Sequence, residues 1–380
     1  MTKSFETRAV HINHEKPLPT NSKVTPIYQS SAFSFKDLDD VEAFYQGKKD
    51  YLYSRVGNPN PDELADSVAQ LEGAPSGVSA SSGLAAILIG VLSMVEAGDE
   101  IIASTDIYGG TYELFQTELT SFGITVHFAD FKDIDAVEAL ITDQTKCLYT
   151  ESITNPLLYV EDLQSIVALA KKHQLKTMID NTFATPYLIN PYSTGINLVV
   201  HSATKYLGGH SDITAGVVVG DSELIQKAKT RGVNLGTTLA PMEAWLTVRG
   251  IKTLALRMEK QVTNAQALAT RLTAHEGVKT VYYPKHASEK GNGAIVTIDL
   301  ADPIDVGTFF KSLGWVKIVP TLAGVETTVS YPKTTSHRAL PTDVQQSLGI
   351  TEGLVRISVG IENIDDIEAA FVQAINAAKK

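Results

Sequence analysis

Between residues 57 and 220, short apolar runs alternate with segments of helical pattern, and this alternation constrains the fold more than any other feature. It predicts an α/β domain with a mostly parallel sheet that helices cover on both faces. In such a sheet the carboxyl ends of the strands form one edge, where ligands bind. Strands are predicted at residues 77–80, 100–103, 124–128, 145–149, 175–180 and 198–201.

Capping signals place the helices between these strands. Asn58 is followed by two prolines and an acidic first turn, and Gly73 follows the last apolar residues of the same segment. This pattern predicts a helix from about 59 to 72. Further helices are predicted from 83 to about 95 and from 163 to 173.

The order of elements changes after residue 241, where a long helical stretch to about 272 precedes strands at 278–283, 294–300 and 354–359. A last helix runs to 378. These elements predict a smaller α+β domain, and 380 residues exceed the size of a single core. We assign residues 56–245 to a large domain and 246–380 to the C-terminal domain. Residues 1–55, with Pro17, Pro19 and Pro26, form a turn-rich arm that contacts a neighbouring subunit or folds onto its own domain.

Charge and cysteine content limit the partners and the compartment. A net charge of −11 argues against nucleic acid or an anionic membrane as the main partner. The single cysteine, Cys147, lies in an apolar run, which predicts a buried thiol in a reducing compartment. No apolar signal core opens the chain, and the longest apolar stretch, 83–95, is shorter than the roughly 20 residues of a membrane span. We therefore expect a cytoplasmic protein.

Candidate catalytic and ligand-binding residues lie at the ends of the predicted strands. Ser82 and Gly83 end one strand and open a helix, which is an anion-binding arrangement. Asp180 ends an apolar run, where a carboxylate is costly to bury unpaired. Lys205 follows the strand at 198–201 and is a candidate Schiff-base amine. With a tyrosine in the Tyr108-Gly109-Gly110 turn, this edge offers an anion cradle, an amine, a carboxylate and an aromatic ring, the set that pyridoxal phosphate requires.

The chain resembles the Cys/Met-metabolism family of pyridoxal-phosphate enzymes, which includes cystathionine γ-synthase, γ-lyase and β-lyase. The resemblance is carried by residues 8–11, 26–30 and 354–362, and above all by 201–210, which is similar to the family's cofactor-lysine signature. It implies the fold-type I architecture of pyridoxal-phosphate transferases. It also implies a homotetramer built from two active dimers, with a small sulfur-containing amino acid as substrate.

The resemblance implies a role for each site residue. Lys205 carries the cofactor and shuttles protons, Tyr108 stacks on the cofactor ring and helps to deprotonate the substrate amine, and Asp180 holds the pyridinium nitrogen. The remaining residues bind the cofactor phosphate (Gly83, Leu84, Ser202 and Thr204, with Tyr53 and Arg55 reaching the phosphate of the neighbouring subunit) or the substrate (Asn155, Glu326, Thr327 and Arg356).

The activity implied is α,γ-elimination of L-cystathionine to L-cysteine, 2-oxobutanoate and ammonia, with hydrogen sulfide release from cysteine or homocysteine as a side reaction. Glu326 fits γ-lyases and γ-synthases better than β-lyases, whereas Gly110 counts against a methionine γ-lyase. Thr327 replaces a serine that steadies the lysine in relatives. A β-lyase, a γ-synthase and, remotely, a non-catalytic cofactor-binding protein stay open as alternatives.

Two other motifs are weaker. Ser202-x-x-Lys205 also matches the nucleophile motif of serine β-lactamases, but the companion Ser-Asp-Asn and Lys-Thr-Gly motifs are absent from the sequence. His11, His14 and Glu15 lie in the turn-rich arm without a His-Glu-x-x-His helix, so we expect no metal site there.

Overall fold

A computed structural model describes residues 3–11, 21–338, 345, 346 and 348–379. Its large sheet has seven strands in the spatial order β1-β7-β6-β5-β4-β2-β3. The strands are β1 (Ser76–Ala80), β2 (Glu100–Ser104), β3 (Thr125–Ala129), β4 (Thr145–Glu151), β5 (Lys176–Asp180), β6 (Leu198–His201) and β7 (Gly216–Gly220).

The large sheet is mostly parallel, as predicted. Strands β2 to β6 pair in parallel, whereas β7, which the sequence analysis did not identify, runs antiparallel to both β1 and β6. The short valine run of β7 is flanked by a glycine on each side. Flanking glycines are more typical of turns than of strands, so the sequence did not indicate a strand here. Because β7 opposes both neighbours, the carboxyl end of β1 lies at the same edge as those of β4, β5 and β6.

Both faces of this sheet are buried, which explains why its strands are continuous apolar runs. Along β2, Ile101 faces one core cluster and Ile102 faces the other. Along β4, Leu148 packs into the same cluster as Ile102, while Cys147 packs into the same cluster as Ile101. Cys147 is fully buried and free, as predicted, and burial raises the pKa of its thiol to about 12.

The first predicted helix is confirmed together with its caps. Asn58 Oδ1 accepts a hydrogen bond from the Asn60 N–H at 3.1 Å, and Gly73 ends the helix in the left-handed conformation at φ 75°. The helices that surround the large sheet are α1 (Phe5–Val10), α2 (Leu38–Tyr45), α3 (Pro59–Glu72), α4 (Gly83–Val91), α5 (Gly109–Glu113), α6 (Ile134–Ala139), α7 (Leu163–Lys172), α8 (Thr185–Leu188), α9 (Pro191–Thr194) and α10 (Ser222–Leu235), with a π-helical turn at Leu114–Leu119.

The long helical stretch after residue 241 is divided into two helices, α11 (Pro241–Ile251) and α12 (Leu254–Thr273). Gly250, near the end of α11, lies so close to the chain at Gly208 that an added Cβ would meet the Gly208 carbonyl oxygen at 2.2 Å. The break between α11 and α12 follows directly after this close approach. Because the approach involves residues about forty positions apart, the helical periodicity of 241–272 could not reveal the break.

The second sheet has five strands in the order β10-β11-β12-β9-β8, and only β10 and β11 pair in parallel. It agrees with the predicted α+β character of the C-terminal part. The boundary between residues 245 and 246 falls between the two sheets and stays a prediction. The elements are β8 (Val278–Tyr282), β9 (Ile295–Leu300), α13 (Val306–Lys311), β10 (Lys317–Ile318), β11 (Thr328–Ser330), a short 3₁₀ turn (Pro332–Thr334), β12 (Leu354–Ser358) and α14 (Ile364–Ala377).

Part of the N-terminal arm packs on its own chain. Phe5 of α1 is buried and contacts the Tyr187 ring edge-on, with 5.4 Å between ring centroids. Helix α2, by contrast, contains no buried residue. The predicted contact of the arm with a neighbouring subunit stays a prediction. Pro17, Pro19, His14 and Glu15 lie outside the described residues.

The described residues contain neither a membrane-spanning helix nor a metal-binding cluster. No helix in these ranges combines the length and the hydropathy needed to cross a lipid bilayer. Nor do the described ranges contain a cluster of three or more His, Cys, Asp or Glu side chains placed to hold a metal ion.

A buried polar network joins α3 to the ends of β5 and β6. Glu72 Oε1 lies 2.8 Å from His201 Nε2 and accepts a hydrogen bond from Asn181 Nδ2, also at 2.8 Å. Glu72, His201 and Asn181 are each at most 1% exposed. Because the carboxylate of Glu72 serves two buried partners, this network holds the strand ends that carry the site.

We expect Glu72→Ala to lower the free energy of unfolding by about 3–5 kcal/mol, since it leaves His201 and Asn181 buried without their carboxylate. Urea unfolding followed by circular dichroism measures the change. The control is Glu223→Ala on α10, where an exposed glutamate pairs with Lys227 and the expected change is within about 0.5 kcal/mol. A Glu72→Ala midpoint equal to that of the unmodified protein would contradict this interpretation.

Candidate active site

A cleft of about 220 Å³ opens at the carboxyl ends of β4, β5 and β6, beside the start of α4. This is the edge at which the sequence analysis placed the chemistry. Nine of the thirteen predicted site residues line the cleft: Gly83, Leu84, Tyr108, Asn155, Asp180, Ser202, Thr204, Lys205 and Arg356.

Lys205 is half-buried, and its Nζ donates a hydrogen bond to Thr321 Oγ1 at 2.7 Å. Burial lowers the pKa of Lys205 to about 8, and the nearby Arg356 guanidinium contributes to the same shift. A lowered pKa increases the fraction of neutral amine near pH 7, and the neutral amine is the form that attacks an aldehyde.

The start of α4 forms an anion cradle in the cleft. Ser82 caps this helix by accepting the Ala85 N–H on its hydroxyl at 3.1 Å, which leaves the first helical amides for a ligand. A Cβ added at Gly83 would approach Ser202 Cβ to 2.7 Å. Only a glycine therefore lets the helix start this close to the Ser202 side chain.

The two hydroxyl residues beside the lysine are held by different partners. The Ser202 N–H donates to Thr182 Oγ1 at 2.8 Å. The Thr204 hydroxyl donates to the carbonyl oxygen of Ala215 at 3.1 Å and accepts the Ala215 N–H at 3.0 Å. Both residues line the cleft next to the cradle, and their contact with a phosphate stays a prediction.

Asp180 is the last residue of β5, and its side chain opens onto the cleft. Its Oδ1 accepts the Thr182 N–H at 2.9 Å. Burial raises the pKa of Asp180, while the bonds from Thr182 and the nearby His201 act in the opposite direction. A carboxylate with one fixed backbone partner can still accept a proton donor such as a pyridinium nitrogen.

Tyr108 precedes α5 and presents a ring that is 42% exposed. Its N–H donates to Glu151 Oε1 at 2.7 Å, which fixes the backbone at this point. A Cβ added at Gly110 would lie 2.5 Å from Tyr108 Cε1, so a glycine there leaves room for the ring. The ring is free to cover a planar ligand in the cleft.

Arg356 lies on β12 and is only 3% exposed, with its Nη1 donating to Asn155 Oδ1 at 3.0 Å. Burial lowers the pKa of Arg356 to about 10, well above neutrality. In the described part of the chain, no carboxylate forms an ion pair with this guanidinium. A buried cation that forms no ion pair within the described residues, lining a cleft, is suited to bind the carboxylate of a ligand.

Neither Glu326 nor Thr327 lines the cleft of the single chain, and their contact with a substrate stays a prediction. Glu326 is exposed and pairs with Lys317 at 2.6 Å. The Thr327 hydroxyl donates to Glu362 at 2.8 Å and accepts the Gly360 N–H at 2.9 Å, so it fastens a loop. The hydroxyl that contacts the Lys205 amine belongs instead to Thr321, six residues earlier in the same loop.

Tyr53 and Arg55 do not reach this cleft within one chain. Arg55 Nη1 donates to the carbonyl oxygen of Val233 at 3.1 Å, and its guanidinium lies 5.8 Å from the centre of the Tyr53 ring. Their predicted contact with the phosphate of a neighbouring subunit stays a prediction.

The sequence analysis assigned no role to four residues at or near the site: Glu151, Thr182, Thr321 and His337. The position of Glu151 at a strand end was a usable signal, since polar residues at the carboxyl edge face the ligand. His337 is buried, and its Nε2 lies 3.1 Å from the carbonyl oxygen of Asn155. Burial, followed by Arg356, lowers the pKa of His337 to about 4, so it is neutral at pH 7. No sequence pattern pointed to it or to Thr321.

Comparison with known proteins decides the family. The profile of the Cys/Met metabolism PLP-dependent enzymes matches residues 6–376. The chain belongs to this family. It is 39% identical to a cystathionine β-lyase of Lactococcus lactis subsp. cremoris (strain MG1363), with 98% of this chain and 99% of the relative covered.

Two solved structures of fold-type I enzymes share the fold. A cystathionine γ-lyase from Lactobacillus plantarum, complexed with L-serine, superposes with a TM-score of 0.91 at 36% identity over 99% of each chain. A protein from Campylobacter jejuni assigned as an O-acetylhomoserine (thiol)-lyase superposes with a TM-score of 0.93 at 30% identity, over 98% of this chain and 100% of that one. The latter contains N'-pyridoxyl-lysine-5'-monophosphate, a lysine joined to the cofactor.

The family's cofactor is pyridoxal phosphate, and the residues present fit it. The cradle beside Gly83 suits a phosphate, and Asp180 suits a ring nitrogen. Lys205 supplies an amine with a lowered pKa within the same cleft, and Tyr108 supplies an aromatic face. These are the contacts that a pyridoxal-phosphate enzyme requires from its protein.

We expect the rate at which the cofactor-free protein takes up pyridoxal phosphate to rise with pH, with a midpoint near 8. The neutral amine is the reactive form, and its fraction rises as the pH passes the pKa of Lys205. Stopped-flow absorbance measures the rate. Arg356→Gln removes a nearby cation and should move the midpoint upward. A midpoint near the ordinary lysine value of about 10.4 would contradict the burial of this amine.

Proposed function

We propose that the protein is a cystathionine γ-lyase, which cleaves L-cystathionine by α,γ-elimination to L-cysteine, 2-oxobutanoate and ammonia. Membership of the family supports a carbon–sulfur lyase or synthase that uses pyridoxal phosphate. Hydrogen sulfide release from cysteine or homocysteine is the side reaction that we infer for the same site.

The observation that carries this proposal is that Lys205 and Arg356 line the same cleft. Arg356 is a buried cation that lacks a counterion among the described residues, and it is held by Asn155 at 3.0 Å. The α-carboxylate of an amino acid supplies the missing charge in a bidentate contact. The substrate's Cα is then oriented toward the side of the cleft that carries the Lys205 amine.

Each of the other residues has a role that follows from its contacts. The bound cofactor supplies an electron sink for the negative charge that develops on the substrate. The Lys205 amine moves protons, and since its only hydrogen bond among the described residues is to Thr321, it is free to serve more than one carbon. This freedom matters because α,γ-elimination requires proton transfer at both Cα and Cβ. The exposed ring of Tyr108 would cover one face of the bound cofactor and exclude water there.

The relatives divide between the possible activities. The solved structure from Lactobacillus plantarum is named a cystathionine γ-lyase, whereas the Lactococcus relative is named a cystathionine β-lyase. The two activities share a substrate and differ in the bond that breaks. A γ-lyase releases 2-oxobutanoate from L-cystathionine, and a β-lyase releases pyruvate.

The test is to incubate the purified protein with pyridoxal phosphate and L-cystathionine and to identify the keto acid by chromatography. We expect mainly 2-oxobutanoate, and no keto acid from Lys205→Ala, which lacks the proton-carrying amine. Mainly pyruvate would replace the proposal by a β-lyase. Absence of both acids, with the cofactor bound, would favour a γ-synthase or a non-catalytic cofactor-binding protein.

Substitution of Arg356 tests the carboxylate contact in the same assay. Arg356→Gln should raise KM for L-cystathionine at least tenfold, because the clamp acts on the bound substrate as well as on the transition state. The matched control is Arg271→Gln, which removes an exposed arginine that pairs with Asp365 and Glu368 and should leave KM unchanged. An unaltered KM in Arg356→Gln would remove Arg356 from this role.

We also propose an active dimer, assembled into a homotetramer, in which Tyr53 and Arg55 reach the phosphate of the neighbouring subunit. Support comes from the position of both side chains at the surface, outside the cleft of their own chain. The cytoplasmic location expected from the sequence remains a prediction as well.

Arg55→Ala should weaken cofactor retention at least tenfold, since it removes a charged contact to the phosphate. Gel filtration followed by cofactor absorbance measures the loss, and added pyridoxal phosphate should restore activity. Arg231→Ala is the control, because Arg231 donates to the carbonyl oxygen of Leu92 at the surface. Full cofactor retention in Arg55→Ala would contradict the cross-subunit contact.

A further inference from the structure

Glu151 and Asp180 form a pair of neighbouring carboxyl groups at the carboxyl edge of the large sheet. Each is the last residue of its strand, and the two residues stand opposite each other in the parallel pairing of β4 with β5. Side chains at matched positions of parallel neighbours leave the sheet on the same face. Both carboxyl groups line the cleft.

Neighbouring carboxyl groups in a buried site disfavour ionisation of both at once, so one of them keeps its proton more readily than the other. Burial and the charge of Asp180 raise the pKa of Glu151 well above its usual range. Asp180 is less affected, because its carboxylate is stabilised by Thr182 and by the nearby His201. These directions favour Glu151 as the member of the pair that keeps a proton. The charged or titratable groups that act on it are Asp180 from β5, Asp106 after β2, Tyr149 on β4 and Arg356 from β12.

The neutral carboxyl group also anchors Tyr108. Glu151 Oε1 accepts the Tyr108 N–H at 2.7 Å, across 43 residues of sequence. Within the described ranges, the structure shows no hydrogen bond from the Tyr108 hydroxyl. The ring that faces the cleft is thus positioned through its backbone, and Glu151 provides the contact from the sheet.

We propose that Glu151 is a positioning residue whose protonated carboxyl group holds Tyr108 against the cofactor ring and leaves Asp180 as the single carboxylate for the ring nitrogen. This role rests on the proposed placement of the cofactor between Tyr108 and Asp180. It does not depend on which carbon–sulfur bond the enzyme breaks, so a different keto acid from L-cystathionine would leave it standing.

Three substitutions separate the geometry of Glu151 from its charge. Glu151→Gln keeps an acceptor oxygen at the same distance from the backbone and stays neutral. Glu151→Asp keeps a carboxyl group but withdraws it by one methylene, about 1.5 Å, which breaks the contact with the Tyr108 N–H. Glu151→Ala removes the acceptor altogether.

The readouts are the dissociation constant for pyridoxal phosphate and the pH titration of the absorbance of the bound cofactor. We expect Glu151→Gln to keep the dissociation constant within twofold and the titration unchanged. Glu151→Asp and Glu151→Ala should weaken cofactor binding at least fivefold, which corresponds to the loss of one buried hydrogen bond. The matched control is Glu161→Gln, which replaces another buried glutamate outside the cleft and should change neither readout.

Several results would overturn the proposal. If Glu151→Asp kept the cofactor affinity and Glu151→Gln lost it, a charge at this position, and not a neutral acceptor, would be required. Equal readouts in all three variants would show that Glu151 does not position Tyr108. If Glu161→Gln weakened cofactor binding as much as Glu151→Asp did, the effect would follow from replacing any buried carboxyl group and would not be specific to Glu151. Circular dichroism melts of each cofactor-free variant identify misfolding, and the comparison of Gln with Asp decides the case if Glu151→Ala does not fold.

Discussion

The burial of charge at one edge of the large sheet is the constraint on which the rest of this structure depends. Lys205, Arg356, Asp180 and Glu151 all line one cleft, where removal from water disfavours the ionised form of each. A charge in such a place is tolerated only where another group compensates it. The surrounding fold supplies those groups, and a ligand supplies the remainder.

The compensation is distributed over both parts of the chain. On the large sheet, the Glu72 network fixes the ends of β5 and β6, and the Thr182 N–H stabilises Asp180. From the C-terminal part, β12 delivers Arg356 and the loop before β11 delivers Thr321. The cleft therefore exists only when the two parts are packed together. Burial within this packing lowers the pKa of Lys205, and Arg356 on the second sheet contributes to the same shift.

This arrangement also explains how one scaffold serves relatives named for different reactions. In the proposed function, the groups that hold an amino acid and move its protons are Arg356 on β12 and Lys205 after β6, and the rest of the cleft wall surrounds the bond to be broken. Pro320 and Leu322 line that wall on either side of Thr321.

Local patterns in the sequence determined the strands and capped helices of the large sheet and most of the residues at its edge. Continuous apolar runs reveal strands buried on both faces, and Asn58 and Gly73 reveal a helix, because these signals act over a few residues. The tertiary structure alone decided that β7 inserts between β1 and β6, that the helical stretch breaks near Gly250, and that Thr321 takes the position expected for Thr327. It also paired Glu151 with Asp180 and Tyr108. Each of these depends on contacts between residues far apart in the chain, whose distances and burial no local pattern encodes.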